Sequence, residues 1–338
     1  MAVGKHRANG RSEALAQGNG VNDMDRRVVT VFGGAGFIGR HLVQRLAAEG
    51  AIVRVAVRDA ESALFLKPLG DPGQIVAMAL RIDDADAVAN AVRGADAVVN
   101  LVGILTQGGR QTFQKIHVDG ARTVAEAARD AGVSRLVHVS AVGADPASEA
   151  RYARTKAAGE EAAAAFPGAT IVRPSLVVGP EDKFFNFFAA LARISPWLPV
   201  IGGGRTRFQP VYVVDVAHAI AKALADPETA GKTFELGGPR VYSFKELLEI
   251  MLRETRRTRL LLPVPFALAS FEAWFLEKLP VPLLTRDQVR MLRHDNVVSE
   301  GALGLRDLGV EPTAIEVVVP TYLHRYRAPS MQSLRPSN

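Results

Sequence analysis

Strand and helix patterns that alternate over residues 28–174, with three glycines set between the first strand and the first helix, predict an α/β fold. The specific expectation is a Rossmann-type doubly wound parallel sheet carrying a smaller, mostly helical C-terminal lobe. At 338 residues, 48% of them hydrophobic, the chain has the length and the apolar material for both.

The first strand is the run Val28-Val29-Thr30-Val31-Phe32, β-branched and apolar enough to be buried on both faces. It breaks into Gly33, Gly36 and Gly39, then into an amphipathic helical segment, 41–49, stopped by Gly50. Glycines at these positions let the turn take positive φ and bring the backbone close to a ligand. The helix N-terminus behind them offers unpaired N–H groups and partial positive charge to a pyrophosphate. Strand before and helix after supply the context that a dinucleotide-binding reading requires; the alternative is a plain tight turn.

The second strand, 51–57, ends at Arg58-Asp59. In NAD-preferring arrangements an acidic side chain about 20 residues beyond the glycines accepts the ribose 2′-OH. Here Arg58 comes first and suits a 2′-phosphate, so NADP(H) is preferred over NAD(H). Asp59 keeps NAD(H) open, and Arg58 also reads as a solvated strand end.

Next come a helical stretch at 60–69, a strand at 74–80, a helix at 85–93, a strong strand at 97–103 and a helix at 113–131. A strand at 135–139, a helix at 152–165 and a strand at 169–173, ending at Pro174, complete the alternation. In such a sheet the ligand lies across the carboxyl ends of the strands. Residues 181–205 are different, with Phe184, Phe185, Phe187, Phe188 and Trp197. The run 211–215 and the helix after it read as a return to the main sheet. Ser243 and Glu246 are spaced as a capping box, and the remainder to about 330 reads as helix with proline interruptions. The expected organisation is a disordered tail at 1–24 and a dinucleotide-binding domain at 25–180, to which 208–238 returns. A lobe of 181–207 and 239–327 and a tail at 328–338 complete it. Met24, just before the first strand, is an alternative start.

Tyr152 and Lys156 lie one turn apart on the helix at 152–165 and share a face. A phenol is a poor acid–base group at neutral pH, and a neighbouring ammonium, together with a nicotinamide cation, favours its phenolate and brings it into useful range. The same lysine can hydrogen-bond a nicotinamide ribose. Ser140, ending the preceding strand, is placed either to hydrogen-bond a substrate carbonyl or simply to terminate the strand. Tyr152, Lys156 and Ser140 are therefore the candidate catalytic residues, and a surface Tyr/Lys pair is the bland reading.

The chain has no cysteine, which excludes disulfides, iron–sulfur ligation and cysteine-based zinc sites. The seven histidines are scattered and form no HxxxH pair, so no metal is expected. The net charge of +6 is dispersed, without the basic run expected of a nucleic-acid arm. The exception is the basic stretch 253–259, which leads into the apolar 260–276. It reads either as a charged helix end before a strand or as a membrane-surface or acidic-partner contact across 253–276. Pro263, Pro265 and Glu272 break that apolar stretch, which reads as an interfacial or core helix over 266–279. The first 24 residues lack an apolar h-region, so they do not read as a secretory signal.

Taken together, the glycine triplet, the Asn100-Leu101-x-Gly103 motif, Tyr-x-x-x-Lys and Arg173-Pro174-Ser175 resemble the extended short-chain dehydrogenase/reductase superfamily. More closely, Phe-Gly-Gly-Ala-Gly-Phe-Ile-Gly-Arg (32–40), Tyr-Ala-Arg-Thr-Lys-Ala-Ala-Gly-Glu (152–160), the Arg-Pro-Ser stretch at 173–182 and Gln-Pro-Val-Tyr-Val-Val-Asp-Val (209–216) resemble one atypical branch. The stretches 285–289 and 305–310 are similar to it too. That branch holds the nucleotide-binding accessory subunit of respiratory complex I, the NADH:ubiquinone oxidoreductase. The resemblance covers roughly 25–327.

It implies an NADP(H) held in a structural role beside the quinone arm, with complex I subunits as partners. The place implied is cytoplasmic, peripheral on the inner face of the energy-conserving membrane. Carried over by position, Gly33, Gly36 and Gly39, with Phe37 and Ile38, would cradle the pyrophosphate. Arg58 would face the 2′-phosphate, and Tyr152 and Lys156 the nicotinamide ribose. Pro174 would lie near the nicotinamide, and Asn100 and Val102 would also line the cofactor. Phe32 stands where the superfamily usually has threonine, Arg81 where an aspartate is common and Ala153 where glycine is usual. The short spacing of 12 from Ser140 to Tyr152 puts Ala141 or Val142 in the usual serine place. A free-standing NAD(P)-dependent reductase or epimerase using Tyr152 and Lys156 is the alternative; RNA binding rests on net charge alone.

Overall fold

The computed structural model describes residues 24–279 and 282–327. Seven parallel strands form the main sheet. In chain order the elements are β1 (Val28–Phe32), α1 (Phe37–Ala48), β2 (Ile52–Val57), β3 (Ile75–Ala79), α2 (Ala85–Val92), β4 (Ala97–Asn100) and α3 (Gly120–Asp130). Then follow β5 (Arg135–Val139), α4 (Arg151–Ala163), β6 (Thr170–Pro174), β7 (Val177–Val178), α5 (Phe184–Ile194), β8 (Trp197–Ile201), β9 (Arg207–Phe208) and β10 (Val211–Tyr212). The chain continues through α6 (Val213–Ala225), β11 (Thr233–Leu236), β12 (Tyr242–Ser243), α7 (Phe244–Glu254), β13 (Leu260–Val264), α8 (Phe266–Leu276), α9 (Arg286–Met291) and α10 (Ile315–Leu323).

The sheet order is β11-β6-β5-β4-β1-β2-β3, so the winding reverses between β1 and β4. A crevice opens at such a reversal, at the carboxyl ends of the strands. Both faces are buried, as the near-continuous apolar strands require. Val29, Val31, Val53 and Val55 pack under Leu42 and Leu46 of α1 and Ile220 and Leu224 of α6. Phe32, Val98 and Leu136 pack on the other face against Val88 of α2 and Val124 of α3. Phe32, the departure from threonine, is thus a filler of the second core layer. A separate cluster joins α5, β8, α7 and α10 through Phe185, Leu198, Leu247 and Val319.

Several sequence expectations are corrected. The run 211–215 is not a strand of the main sheet: only Val211 and Tyr212 are extended, pairing with β7, and α6 starts at Val213. The β-branched residues there suggested a strand, but Val213 and Val216 face the core from a helix. The return to the main sheet is made by β11 beside β6. The strand expected at 97–103 pairs only to Asn100, because Leu101 to Gly103 leave the sheet at the crevice. The helix expected at 113–131 opens as a π-helical stretch, Gln114–Asp119, before α3.

Met24, assigned to the tail, is buried in the core; the other tail assignments, 1–23 and 328–338, lie outside the described residues. Residues 305–310, grouped with the smaller lobe, instead return to the main core through Leu305, Leu308 and Val310. Just before them the Leu303 carbonyl accepts the Glu235 N–H at 2.8 Å and covers the edge of β11. The capping box of Ser243 and Glu246 is present at the start of α7.

Candidate functional site

β1 delivers the chain to the sheet reversal and the glycine turn. Gly33 has φ of 79° and donates its N–H to the Ala56 carbonyl at 2.9 Å. The Gly36 N–H closes the turn onto the Gly33 carbonyl at 2.9 Å. Of the three glycines only Gly33 needs positive φ. Gly36 is the N-cap of α1 in an extended conformation, and Gly39 is helical. Their reason is crowding: a Cβ on Gly39 would sit 2.5 Å from the Gly33 oxygen, and one on Gly36 3.1 Å from it. The N-terminus of α1 has neither a side-chain cap nor an acidic residue in its first turn. Its first N–H groups therefore face the crevice as donors that suit an anion.

Phe37 and Ile38 open α1. The Phe37 ring lies under Gly179, where an added Cβ would meet it at 3.3 Å, and Ile38 packs against the main core. Asn100 is buried at the end of β4, and its Oδ1 accepts the Val102 N–H at 3.0 Å. That bond folds the chain so that Val102 backs Gly33, with 3.3 Å between a Gly33 Cβ position and Val102 Cγ2. Pro174 ends β6, and its carbonyl accepts the Val142 N–H at 3.0 Å.

Arg58 stands exposed at the end of β2. Asp59, also exposed, accepts the Glu61 N–H at 3.0 Å through Oδ1, and its main-chain carbonyl accepts the Ser62 hydroxyl at 2.6 Å. Arg81 forks onto Asp83 at 2.9 and 2.8 Å. Arg40, which sequence reasoning passed over, lies in the first turns of α1. It is 3.3 Å from Glu181 and stacks 4.9 Å from the centre of the Phe65 ring.

Tyr152 and Lys156 lie one turn apart on α4, beside the carboxyl end of β5. Lys156 is buried and donates from Nζ to the Val139 carbonyl at 2.8 Å. Burial lowers it to about 8, with Glu160 opposing. Burial also pushes the Tyr152 phenol up to about 12. Desolvation outweighs the neighbouring amine at Tyr152, and that amine is committed to a main-chain carbonyl.

His117 stands edge-on to the Tyr152 ring, with centroids 5.4 Å apart, and Phe113 stacks on His117 at 5.2 Å. The His117 Nδ1 is 3.0 Å from the Thr155 hydroxyl, and its Nε2 is 3.1 Å from the Ile104 main chain. This histidine neighbour was not visible to spacing arguments. The Ser140 N–H donates to the Val172 carbonyl at 2.7 Å, and its buried hydroxyl oxygen has no hydrogen-bond partner.

The carboxyl ends of β1, β4, β5 and β6 thus gather the glycine turn, Asn100, Val102, Ser140, Pro174 and α4, while Arg58 stands outboard on β2. The open donors of α1, the glycine cradle and the orphaned Ser140 hydroxyl fit a dinucleotide laid across the reversal. Among the described residues no cluster of metal-ligating side chains occurs.

The chain matches the NAD dependent epimerase/dehydratase family over residues 29–237. It is 40% identical over 313 residues to NADH dehydrogenase (ubiquinone) 1 alpha subcomplex subunit 9, mitochondrial, of Arabidopsis thaliana; these cover 89% of this chain and 78% of that one. It is 36% identical over 201 residues to the ceramide reductase of Caulobacter vibrioides, covering 59% and 61%. Among solved structures, dTDP-glucose 4,6-dehydratase from Streptomyces venezuelae, with NAD and TYD bound, superposes with a TM-score of 0.67 at 24% identity. It covers 88% of this chain and 96% of that one, and shares the fold.

Proposed function

Since the chain belongs to the NAD dependent epimerase/dehydratase family, and within it groups with the complex I accessory subunits, we propose that it holds NADP(H) in a largely structural role at the quinone arm of NADH:ubiquinone oxidoreductase. The observation that carries this reading is the likeness to one such subunit along most of the chain, 40% identity over 89% of it. The glycine turn, the uncapped N-terminus of α1 and the buried Lys156 support a held dinucleotide.

In this reading the N–H groups at the start of α1 receive the pyrophosphate, and Gly36 and Gly39 allow its approach. Lys156 and Tyr152 orient the nicotinamide ribose, and the bound group would supply hydride chemistry if a substrate reached it. Arg58 faces the 2′-phosphate. The exposed position of Arg58 at the end of β2 supports NADP(H) over NAD(H).

The proposed place is peripheral, on the inner face of the energy-conserving membrane, touching it through 253–276. Among the described residues no helix is long and apolar enough to cross a membrane.

Native mass spectrometry of the protein, gently purified from its own membranes, tests this. A large assembly containing quinone-arm subunits and the mass of NADPH is the expected result. A free protein that loses its cofactor and oxidises NADPH with a carbonyl substrate would overturn it. That outcome favours the second reading, a free-standing reductase or epimerase, which the shared face of Tyr152 and Lys156 and the ceramide reductase relative support. Tyr152→Phe would then abolish turnover and spare cofactor affinity.

A further inference from the structure

α4 brings Tyr152 to the site, yet its own sequence supplies nothing to hold its first turn. Its N-cap is Ala150, which makes no side-chain cap bond, and its first turn carries no acidic residue. A helix start without such partners leaves N–H donors unsatisfied. Here the cap comes from 136 residues further along the chain. Asp287, in the first turn of α9, accepts the Arg151 N–H at 2.7 Å through Oδ1 and the Tyr152 N–H at 2.8 Å through Oδ2. Both carboxylate oxygens are used, one of them on Tyr152 itself. Charge-assisted bonds to a helix N-terminus are among the stronger local contacts.

The carboxylate is held from its own side as well. Thr285 and Gln288 form a reciprocal capping box that fixes the start of α9. The neighbouring Arg286 is anchored to Glu277, just past α8, at 2.7 Å. Arg290 lies 3.8 Å from Asp287 on the same helix.

We propose that Asp287 is a positioning residue for the dinucleotide site: reaching across from α9, its carboxylate sets the first turn of α4 and thereby the place of Tyr152 at the nicotinamide end. The inference rests on the cofactor reading above and deepens it. Losing Asp287 frees the turn that carries Tyr152. It leaves Lys156, tied to Val139 a turn deeper, and the glycine turn at the far end of the site as they are.

The test compares the full-length wild type with Asp287→Asn, which keeps the shape and one good acceptor, and Asp287→Ala. Each is titrated with NADPH and with 2′,5′-ADP, which carries the 2′-phosphate but no nicotinamide. Asp287→Ala is expected to weaken NADPH by about 5- to 30-fold, the range for losing one or two kcal/mol, with Asp287→Asn between it and wild type. Affinity for 2′,5′-ADP stays within about twofold. Amide exchange at 151–155 rises in Asp287→Ala while that of α1 does not. Equal weakening of both ligands, or no change in either, overturns the positioning role. A wild type that binds neither ligand overturns the cofactor reading and this inference together.

Discussion

His138, in β5, is buried beside Asn100, with Nδ1 3.3 Å from the amide nitrogen, and His117 is buried against Tyr152. Burial, then the charge of Lys156, lowers both imidazoles to about 3. In the folded protein they are neutral wherever it is used, whereas in the unfolded chain they protonate below about 6.5. The unfolded state therefore binds more protons between about 6.5 and 3, so stability is full above 6.5 and is lost as the pH falls through that window. The loss approaches about 1.4 kcal/mol per pH unit for each group. Urea unfolding at pH 7 and pH 5 should show this loss in the wild type and a smaller one in His117→Gln and His138→Gln. Equal losses would mean that other groups set the acid limb. At this scale the glycines were legible in sequence, because only glycine fits where a Cβ would strike the Gly33 oxygen. The direction in which Lys156 donates was not, since a rotamer choice decides it.

Among the elements, those specified by neighbours in sequence were the readable ones. The start of α7 was fixed by Ser243 and Glu246, three residues apart. Ser243→Ala should cost about 1 kcal/mol, read as a lower urea midpoint at unchanged slope; no shift would mean that water replaces the cap. The bounds of β1, β3 and β5 followed from apolar runs between turn residues. The two-residue strands β7, β9 and β12 were not legible, because each exists only through a partner distant in sequence, and β10 was legible only as part of a longer run. The start of α6 at Val213 shows tertiary burial overriding β-branched propensity. The cap that Asp287 gives α4 was hidden for the same reason as the short strands.

At the scale of the whole molecule, the helix expected over 266–279 is present as α8, Phe266–Leu276. It is mostly apolar, interrupted by Ser270 and Glu272, yet buries only Ala269 and Ala273, whose small side chains let it lie close to α9. Phe271 and Phe275 are 62% and 52% exposed, and Lys278 sits 3.6 Å over the Trp274 ring. With the arginines of 253–259 nearby in sequence, such a face suits an anionic bilayer. Vesicles containing anionic lipid should bind the protein, less so at high salt. Phe271→Ser and Phe275→Ser should each weaken that binding by about tenfold, for roughly 1.4 kcal/mol of lost apolar burial. Unchanged binding would assign the face to a protein neighbour.

The Leu303 carbonyl on the edge of β11 gives this surface its leverage. The chain departs from β11, makes its excursion through α7, α8 and α9, and comes back to the strand it left. The excursion is therefore a handle with both ends welded to one rail. A tug on it cannot be relieved by a slack terminus. The load enters the sheet along its outermost strand, four places from β1 and its glycine turn, and reaches the first turn of α4 through Asp287. A pull from outside would be felt at Tyr152, while the glycine turn at the far end of the site stays still.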